Sequence, residues 1–321
     1  MEYRKLGKSG IKVSGIGLGS VDFGRRAGEQ ESISIINHAL DLGINFIDTA
    51  DVYGDGSSEE FVGKAVKGRR SEVIIATKFG MPTSEHPNGY GGSRYHLMEA
   101  IDASLKRLGT DYIDLYYIHW PDPTTPIEET LRALDDLVRT GKVRYIGCSN
   151  FAAWQLCEAL WTSRVNNLES FVVVQTRYNL IDRRIEPELA PCCQTYGISV
   201  IPWGPLAEGF LTGRYQRGKP VPAGTRLGFP RPAPRLAASP FYAGRPEQTS
   251  VLTDTNFDKL EKLQRFSVEH GHTVRELAIA WLLSHSWLSS VIAGATNPEQ
   301  LSANVAAAGW RLTAQEMAEL D

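Results

Sequence analysis

The sequence predicts an α/β fold, a (β/α)8 TIM barrel with an N-terminal β-hairpin and a long loop between strands seven and eight. Eight short runs of β-branched and aromatic residues recur along the 321 residues, with helix-like segments between them. Several runs are almost continuously apolar, as expected for parallel strands covered by helices. No obvious break divides the chain into two blocks, which favours a closed barrel. The alternative is an open doubly wound sheet.

The elements follow in a regular order. The start, YRKLGKSGIKVS, places Lys8-Ser9-Gly10 between two short strand-like pieces, which predicts a hairpin closing the bottom of the barrel. Helical patterns such as SRYHLMEAIDASLKRLG end at Gly43, Gly109 or Gly141, and glycine readily adopts the left-handed conformation after a helix. The eight predicted strands lie at 15–20, 45–49, 72–78, 112–119, 143–149, 171–176, 198–203 and 289–294.

One long segment interrupts this pattern. Residues 216–250, between strands seven and eight, are rich in Pro, Gly and Arg. A loop of that length inside a compact domain is commonly functional or disordered, so we interpret it as a lid.

Composition limits the function classes. The chain is 42% hydrophobic and 22% charged with a net charge of -3, which argues against nucleic acid as the main partner. The polar N-terminus lacks an apolar signal-peptide region, and no apolar run is long enough to span a membrane. The four cysteines lack CxxC spacing. We therefore expect a reduced, cytoplasmic protein that binds neither nucleic acid nor membrane.

Two apparent ligand motifs fail on spacing. GIGLGS resembles a dinucleotide fingerprint, but its third glycine falls on Ser20. The stretch from Asp51 resembles a calcium loop, yet Val62 occupies the position that requires a bidentate glutamate. No second histidine stands at ligand spacing from His119, so we predict no metal.

Four polar residues follow three successive predicted strands: Asp48 and Tyr53, then Lys78, then His119. Taken singly, each has an ordinary alternative, such as a turn cap, a solvated lysine or a core histidine. The carboxyl ends of barrel strands share one rim, where barrel enzymes place their active sites. The joint placement therefore predicts a catalytic group.

Proton transfer to a carbonyl oxygen is the chemistry that these residues permit. A nearby ammonium favours the phenolate and so lowers the tyrosine pKa from about 10. Asp48 would keep Lys78 charged in a buried site, and His119 would orient the carbonyl oxygen. After Tyr53, GSSEE is expected to begin a helix capped by Ser57 or Ser58, with Asp51 and Asp55 as loop and turn residues.

Long ordered motifs show that the chain resembles the aldo-keto reductase superfamily, near its bacterial reductase and potassium-channel β-subunit-like branches. The resemblance covers almost the whole chain and implies a single barrel domain, residues 1–321, with Tyr53 as general acid. It also implies NADPH-dependent reduction of aldehydes or ketones. The motifs include GINFIDTADVYGDGSSEEFVGKAV, VIIATKFG, LGTDYIDLYYIHWPD, IGCSNF, VVVQTRYNL, PWGPLAEGFLTGRY and VIAGATNPEQLSANV.

The resemblance assigns the cofactor residues by motif. Ser149, Asn150 and Gln175 match positions that hold the nicotinamide carboxamide, and Trp203 matches the aromatic residue that stacks on the ring. The segment 204–214 matches the pyrophosphate site, represented by Gly204, Pro205, Leu206, Gly209 and Arg214, with Arg226 as a second phosphate contact. The adenosine end matches Gly294, Thr296, Gln300 and Asn304.

Two departures bear on cofactor choice. Gly294 stands where some branches carry a lysine for the 2′-phosphate, and Ala303 stands where many carry a glutamate. Only Glu299 could repel a 2′-phosphate. NADPH is the expected cofactor, with NADH as a second possibility.

Asp22, Phe23 and Trp120 are the predicted substrate-pocket residues, beside the 81–92 loop and the lid. The partner is a small-molecule carbonyl compound; sugars, small aldehydes and oxidised lipid products stay open, as does the oligomeric state. The alternative functions are a nicotinamide-sensing regulatory subunit with slow turnover and a lyase or isomerase on the same barrel.

Overall fold

The computed structural model describes residues 1–229 and 250–320, and its centre is a closed eight-stranded parallel barrel. Each barrel strand pairs with its neighbour in the chain, and the last pairs with the first. The predicted barrel is confirmed, and the open doubly wound sheet is wrong. The barrel strands are β3 (Ile16–Gly19), β4 (Phe46–Asp48), β5 (Ile74–Phe79), β6 (Ile113–Ile118), β7 (Val143–Ser149), β8 (Val173–Arg177), β9 (Ser199–Trp203) and β10 (Val291–Gly294).

The predicted N-terminal hairpin is also confirmed. Strands β1 (Tyr3–Lys5) and β2 (Lys12–Ser14) pair antiparallel. Leu6 and Val13 are fully buried in one apolar cluster with inward-facing barrel residues such as Phe46 and Tyr117. The hairpin therefore closes the barrel at the amino ends of its strands and leaves the opposite rim available for a site.

Helices cover the outside of the barrel. Gly43, Gly109 and Gly141 follow three of them with φ of 80°, 62° and 79°, as the sequence predicts. Among its described residues, the segment between β9 and β10 contains a 3₁₀ helix (Ala207–Thr212) and two α-helices. Predicted lid residues 230–249 lie outside the described part of the chain. The helices are α1 (Glu29–Asp41), α2 (Ser57–Ala65), α3 (Arg94–Leu108), α4 (Ile127–Arg139), α5 (Ala153–Asn166), α6 (Leu189–Tyr196), α7 (Asp254–Glu269), α8 (Val274–Ser284), α9 (Pro298–Ala306) and α10 (Ala314–Leu320).

Close packing inside the barrel accounts for the glycine at position 17 of β3. A Cβ on Gly17 would lie 2.7 Å from the Phe46 side chain and 2.9 Å from that of Ile292. The GxG pattern that resembles a dinucleotide fingerprint thus lets neighbouring strands pack closely inside the barrel.

The start of α2 differs from the prediction. Gly56, with φ of 96°, precedes the helix, and neither Ser57 nor Ser58 caps it. Ser58 is instead fully buried, where its hydroxyl lies 2.8 Å from that of Thr49 and 2.7 Å from that of Ser20. The prediction failed because buried hydroxyl partners on β3 and β4 compete with the helix end for this side chain.

Among the described residues, no helix is both long and apolar enough to cross a membrane.

Candidate active site

The carboxyl ends of β4, β5 and β6 bring the four predicted catalytic residues to one rim. Asp48 ends β4, Lys78 is the penultimate residue of β5, and His119 directly follows β6. A backbone hydrogen bond fixes the ends of β5 and β6 relative to each other, because the His119 N–H donates to the Phe79 carbonyl at 2.9 Å. Tyr53 begins a short 3₁₀ turn after β4, so its ring returns to the same rim.

The Lys78 ammonium is the centre of the site. It donates to Asp48 Oδ1 at 2.6 Å, to the Thr49 carbonyl at 2.8 Å and to Tyr53 Oη at 3.3 Å. The Lys78 side chain is fully buried, and that of Asp48 is 3% exposed. All three donors of the ammonium therefore have acceptors, which is the condition for keeping a charge in a buried site.

The electrostatics agree with a charged lysine. Desolvation alone would lower the pKa of Lys78, but Asp48 and Tyr53 outweigh it, and the net pKa lies above its usual value. Burial raises the pKa of Asp48, while the Lys78 ammonium and the Gln175 amide oppose that rise. We infer an ionised Lys78 with Asp48 as its counter-ion.

The pKa of Tyr53 shifts in the direction opposite to the one expected from the sequence. Burial raises the pKa of Tyr53 above its usual value, although Lys78 and, less strongly, Arg226 act to lower it. The expectation considered only the ammonium, whereas the enclosed rim penalises the phenolate more. The phenol is thus held in its protonated form. His119 stands edge-on to the Tyr53 ring, with centroids 5.8 Å apart.

Gln175 makes a contact that no sequence motif signals. Its Nε2 donates to Asp48 Oδ2 at 2.6 Å, and the side chain is almost fully buried. Both carboxylate oxygens of Asp48 are consequently held, one by Lys78 and one by Gln175. Gln175 lies 127 residues after Asp48 in the chain, so the closure of the barrel is what brings the two side chains together.

Asn150 connects the predicted nicotinamide residues. It adopts a left-handed backbone with φ of 62°, and its Nδ2 donates to the His119 carbonyl at 3.0 Å and to Ser149 Oγ at 2.9 Å. Its Oδ1 accepts from Trp203 Nε1 at 3.0 Å. One amide side chain thereby fixes the indole of Trp203 relative to the loop that carries His119.

The predicted pyrophosphate segment has an unusual backbone. Gly204 and Gly209 have φ of 67° and 90°, and the non-glycine residues Ala207 and Glu208 have φ of 46° and 60°. The Ala207 N–H donates to the Gly204 carbonyl at 3.0 Å and the Gly209 N–H to the Leu206 carbonyl at 2.9 Å, so the segment forms successive tight turns. Strained non-glycine positions of this kind concentrate at functional sites. Pro205 and Leu206 lie within the same segment.

A second arginine lies beside this segment. Burial, and then the charge of Arg214, lower the pKa of Arg275 at the start of α8. Two guanidinium groups close enough to repel each other would be stabilised by an anion. The backbone and these charges fit the phosphates of a nucleotide cofactor. Arg275 was missed because its sequence neighbourhood carries no phosphate motif.

The four predicted adenosine residues lie together at the end of β10. Gln300 Oε1 accepts from the Thr296 backbone N–H at 3.1 Å and from its hydroxyl at 3.2 Å. Asn304 Nδ2 donates to the Gly294 carbonyl at 3.4 Å. A helix begins within this group: Asn297 caps α9, and Pro298 is its first residue.

The predicted substrate-pocket residues separate. Trp120 follows His119 at the rim and is half-buried. Asp22 is engaged by two arginines, Arg226 Nη1 at 2.8 Å and Arg26 Nη1 at 3.3 Å. Phe23 is completely buried in the outer core, which supports a packing role and gives a pocket role no support. Arg226 thus pairs with a carboxylate across the rim in this structure.

Asp51 and Glu59 lie in the predicted loop and first helical turn, and both are buried. Asp51 lies in the loop after β4, as expected, but is buried; burial and the nearby Glu59 carboxylate raise its pKa well above the usual range. Glu59, expected to serve the helix dipole, is fully buried and pairs with Arg107 at 2.6 Å. Solvent exposure depends on tertiary packing, so the sequence around these acidic residues does not distinguish them from surface residues.

The closed barrel, a buried lysine–aspartate–tyrosine group and a segment of left-handed backbone after β9 fit a barrel protein of the oxidoreductase class. The particular family follows from comparison with known proteins. The chain belongs to the aldo/keto reductase family, whose model matches residues 15–321. The resemblance stated from the sequence motifs is therefore confirmed, and the family implies nicotinamide-dependent oxidoreductase activity.

Three relatives illustrate the range of the family. The chain is 37% identical over 312 residues to a probable voltage-gated potassium channel subunit beta of Oryza sativa subsp. japonica, covering 96% of this chain and 91% of the relative. It is 35% identical over 352 residues to versiconal hemiacetal acetate reductase of Aspergillus parasiticus, covering 100% and 96%. It is 35% identical over 328 residues to aldo-keto reductase YhdN of Bacillus subtilis (strain 168), covering 100% and 93%.

Proposed function

We propose that the protein reduces an aldehyde or ketone to an alcohol with NADPH, and that Tyr53 donates the proton. The observation that carries the proposal is the Lys78 ammonium, which lies 2.6 Å from Asp48 and 3.3 Å from the Tyr53 hydroxyl in a buried site. This arrangement can stabilise the tyrosinate that remains after proton transfer. The same group can run in reverse as an alcohol dehydrogenase.

Each residue has a separate task. When bound, NADPH supplies the hydride. Tyr53, protonated because burial raises its pKa, donates its proton to the carbonyl oxygen of the substrate. Lys78 stabilises the phenolate that results, and Asp48 keeps Lys78 charged. His119 donates a hydrogen bond that orients the substrate oxygen.

We assign cofactor binding to the rest of the same rim. Ser149, Asn150 and Gln175 hold the carboxamide, and Trp203 stacks on the nicotinamide ring. The backbone from Gly204 to Gly209 binds the pyrophosphate with Arg214, while Gly294, Thr296, Gln300 and Asn304 hold the adenosine end. Arg226 contacts phosphate after exchanging its partner Asp22. Arg214 and Arg275 bring two positive charges to the phosphates of either cofactor. NADPH is the proposed cofactor because only Glu299 could repel a 2′-phosphate, and NADH is the second possibility.

The substrate is a small carbonyl compound that enters beside Trp120. A half-buried indole directly after His119 offers an apolar wall to the substrate. Versiconal hemiacetal acetate reductase, one of the relatives, supports the carbonyl-reductase assignment.

The test of the acid is a Tyr53→Phe variant. Removing the hydroxyl removes the proton donor and should lower turnover of an aldehyde by about 10² to 10⁴-fold. NADPH affinity should stay near that of the wild type, since the ring remains. Tyr95→Phe is the matched control, because Tyr95 is 57% exposed on α3. Wild-type turnover by Tyr53→Phe would show that another group donates the proton.

The test of the phosphate assignment is an Arg275→Ala variant titrated with NADPH and NADH by quenching of tryptophan fluorescence. We expect NADPH affinity to fall about fivefold, since one charge contact to phosphate contributes about 1 kcal/mol. The salt dependence of binding should weaken in the variant. Arg265→Ala, an exposed position on α7, is the control and should bind as the wild type does. Unchanged NADPH affinity in Arg275→Ala would remove Arg275 from the site.

A second candidate function is a nicotinamide-sensing regulatory subunit with slow turnover. It is favoured by the relatives described as probable potassium channel β-subunits. Single-turnover and steady-state kinetics on a panel of aldehydes separate the two functions. Rapid repeated turnover supports the reductase, whereas one slow turnover with tight retention of the cofactor supports the sensor.

A further inference from the structure

All four cysteines of the chain gather in one part of the fold, on β7 and the helices α5 and α6. Cys148 lies on β7, Cys157 on α5, and Cys192 and Cys193 on α6, and all four are free thiols. They come from positions separated by up to 45 residues in the sequence, from 148 to 193. The packing of α5 against α6 over β7 therefore creates a thiol cluster.

Within this cluster, Cys157 and Cys192 are in direct contact. Their Sγ atoms are 3.3 Å apart, and both residues are partly exposed at the surface between α5 and α6. A disulfide has a sulfur–sulfur distance of about 2.05 Å, so the two atoms need to approach by only about 1.2 Å. A small oxidant in solvent can reach the pair without opening the fold.

The neighbouring thiols are less suited to bonding. Cys193 and Cys148 are completely buried. Consecutive residues of a helix point in different directions, so Cys192 and Cys193 do not face each other. The contact and the exposure together single out one pair from the four thiols.

We propose that Cys157 and Cys192 form an oxidisable dithiol, a modification site at which hydrogen peroxide reversibly produces a disulfide linking α5 to α6. The inference is independent of the proposed reductase activity, because no residue of the rim takes part.

The chemistry balances in two steps. The Cys157 thiolate attacks one peroxide oxygen, a sulfur–oxygen bond forms, the oxygen–oxygen bond breaks, and hydroxide leaves and is protonated to water. The Cys192 sulfur then attacks the Cys157 sulfenic acid, the sulfur–sulfur bond forms, and a second water leaves. Two thiols lose two hydrogens and two electrons, and one peroxide becomes two waters. A dithiol reductant reverses the reaction.

Burial, and then the hydrogen bond with Cys157, raise the pKa of Cys192 to about 12. The two sulfurs share one contact at 3.3 Å, so the same two steps run with either sulfur meeting peroxide first.

The cross-link would span a chain segment of 35 residues. Closing a loop of that size restricts the unfolded chain, so oxidation should raise the thermal midpoint by about 5 °C. A lowered midpoint after oxidation would overturn the claim that the two helices already hold the sulfurs in bonding range.

The experiment treats the reduced wild-type protein with hydrogen peroxide and then alkylates it under denaturing conditions. We expect intact mass to decrease by two hydrogens and the free thiols to fall from four to two. Peptide mapping without reductant should identify Cys157 joined to Cys192, and dithiothreitol should restore all the thiols. Four persisting thiols, added oxygen in place of a disulfide, or a bond to Cys193 would overturn the proposal.

Two variants sharpen the result. Cys192→Ala should form no disulfide and should leave a Cys157 sulfenic acid that a 1,3-dione traps. Cys193→Ala, the matched control one residue away, should still form the bond. A disulfide in Cys192→Ala would contradict the assigned pair. If Cys192→Ala does not fold, the peptide map of the wild-type protein decides alone.

Discussion

Two ion pairs flank opposite faces of strand β5, and they differ in whether a further side chain contacts the cation. Lys78 faces the barrel interior and pairs with Asp48 at 2.6 Å. Thr77, the preceding residue, faces the helix layer and donates to Glu59 Oε1 at 2.6 Å. Glu59 in turn pairs with Arg107 of α3. Alternation along one strand thus places two buried carboxylate sites on opposite faces of the same sheet.

The outer pair is closed. The Arg107 guanidinium binds Glu59 Oε2 through Nε and Nη2, both at 2.6 Å, and Thr77 occupies the other oxygen. This group joins α2, α3 and β5, because Glu59 is bonded to Arg107 of α3 and to Thr77 of β5. Such a site stabilises a packing arrangement between these elements.

The inner pair is different because its third contact is a reactive group. Beyond Asp48 and the Thr49 carbonyl, Lys78 contacts Tyr53 Oη at the rim. The Lys78 ammonium has three separate acceptors, so it can stabilise a tyrosine side chain that changes charge during a reaction. The Arg107 guanidinium directs two donors at one carboxylate and cannot do this. The comparison therefore separates the ion pair that we propose as catalytic from a structural one by the identity of the third partner.

The largest expected effect is that of Lys78→Met. Turnover should fall at least 10²-fold, and the free energy of unfolding should fall by about 3–5 kcal/mol, because Asp48 remains buried without its counter-ion. Chemical denaturation and aldehyde kinetics measure the two effects. A double variant, Asp48→Asn with Lys78→Met, should recover most of the stability and none of the activity. If the double variant stays as unstable as the single one, the uncompensated charge is not the cause.

The next effect should appear in stability alone. Glu59→Gln breaks the pair with Arg107, which is 24% exposed, so we expect a loss of about 2–4 kcal/mol in the free energy of unfolding. Turnover of the folded variant should remain close to that of the wild type. Glu60→Gln, one residue along and exposed, is the control and should change neither quantity. A large loss of turnover in Glu59→Gln would mean that the outer pair also serves the reaction.

The smallest effect is one of pH. Burial raises the Tyr53 pKa above about 10, so the phenol stays protonated through the neutral range. The rate of carbonyl reduction should therefore show no alkaline limb due to Tyr53 between about pH 7 and about pH 9, and should fall only above about pH 10. The measurement is kcat against pH with saturating NADPH. An alkaline limb near pH 8 that Tyr53→Phe abolishes would show that the Lys78 ammonium outweighs burial.

Much of the site was predictable because it follows strand ends. Asp48, Lys78 and His119 belong to runs whose apolar pattern marks three successive strands, and parallel strands share one rim. The motifs through Trp203 and Asn304 identify the family from their order alone. The long-range contacts had no such signal. The bond from Gln175 to Asp48 and the approach of Arg275 to Arg214 depend on how the barrel closes.

The failures have a common cause. Ser57 or Ser58 is predicted to cap α2, yet Ser58 is buried, and so are Glu59 and Asp51, whose burial the sequence does not signal. Local preference describes what a segment does in water, and here β3, β4 and α3 supply the partners instead of water. The same reason explains Tyr53, whose pKa depends on the enclosure as well as on its neighbour.

By itself the sequence determined the order of strands and helices, the hairpin, the family and the four residues at the rim. Apolar runs and turn residues act locally, and these features need only local information. The tertiary structure alone decided which carboxylates are buried, which ammonium or guanidinium each one pairs with, and that Cys157 and Cys192 touch. Those properties depend on the distances between elements far apart in the chain, and water is excluded only once the barrel and its helices have packed.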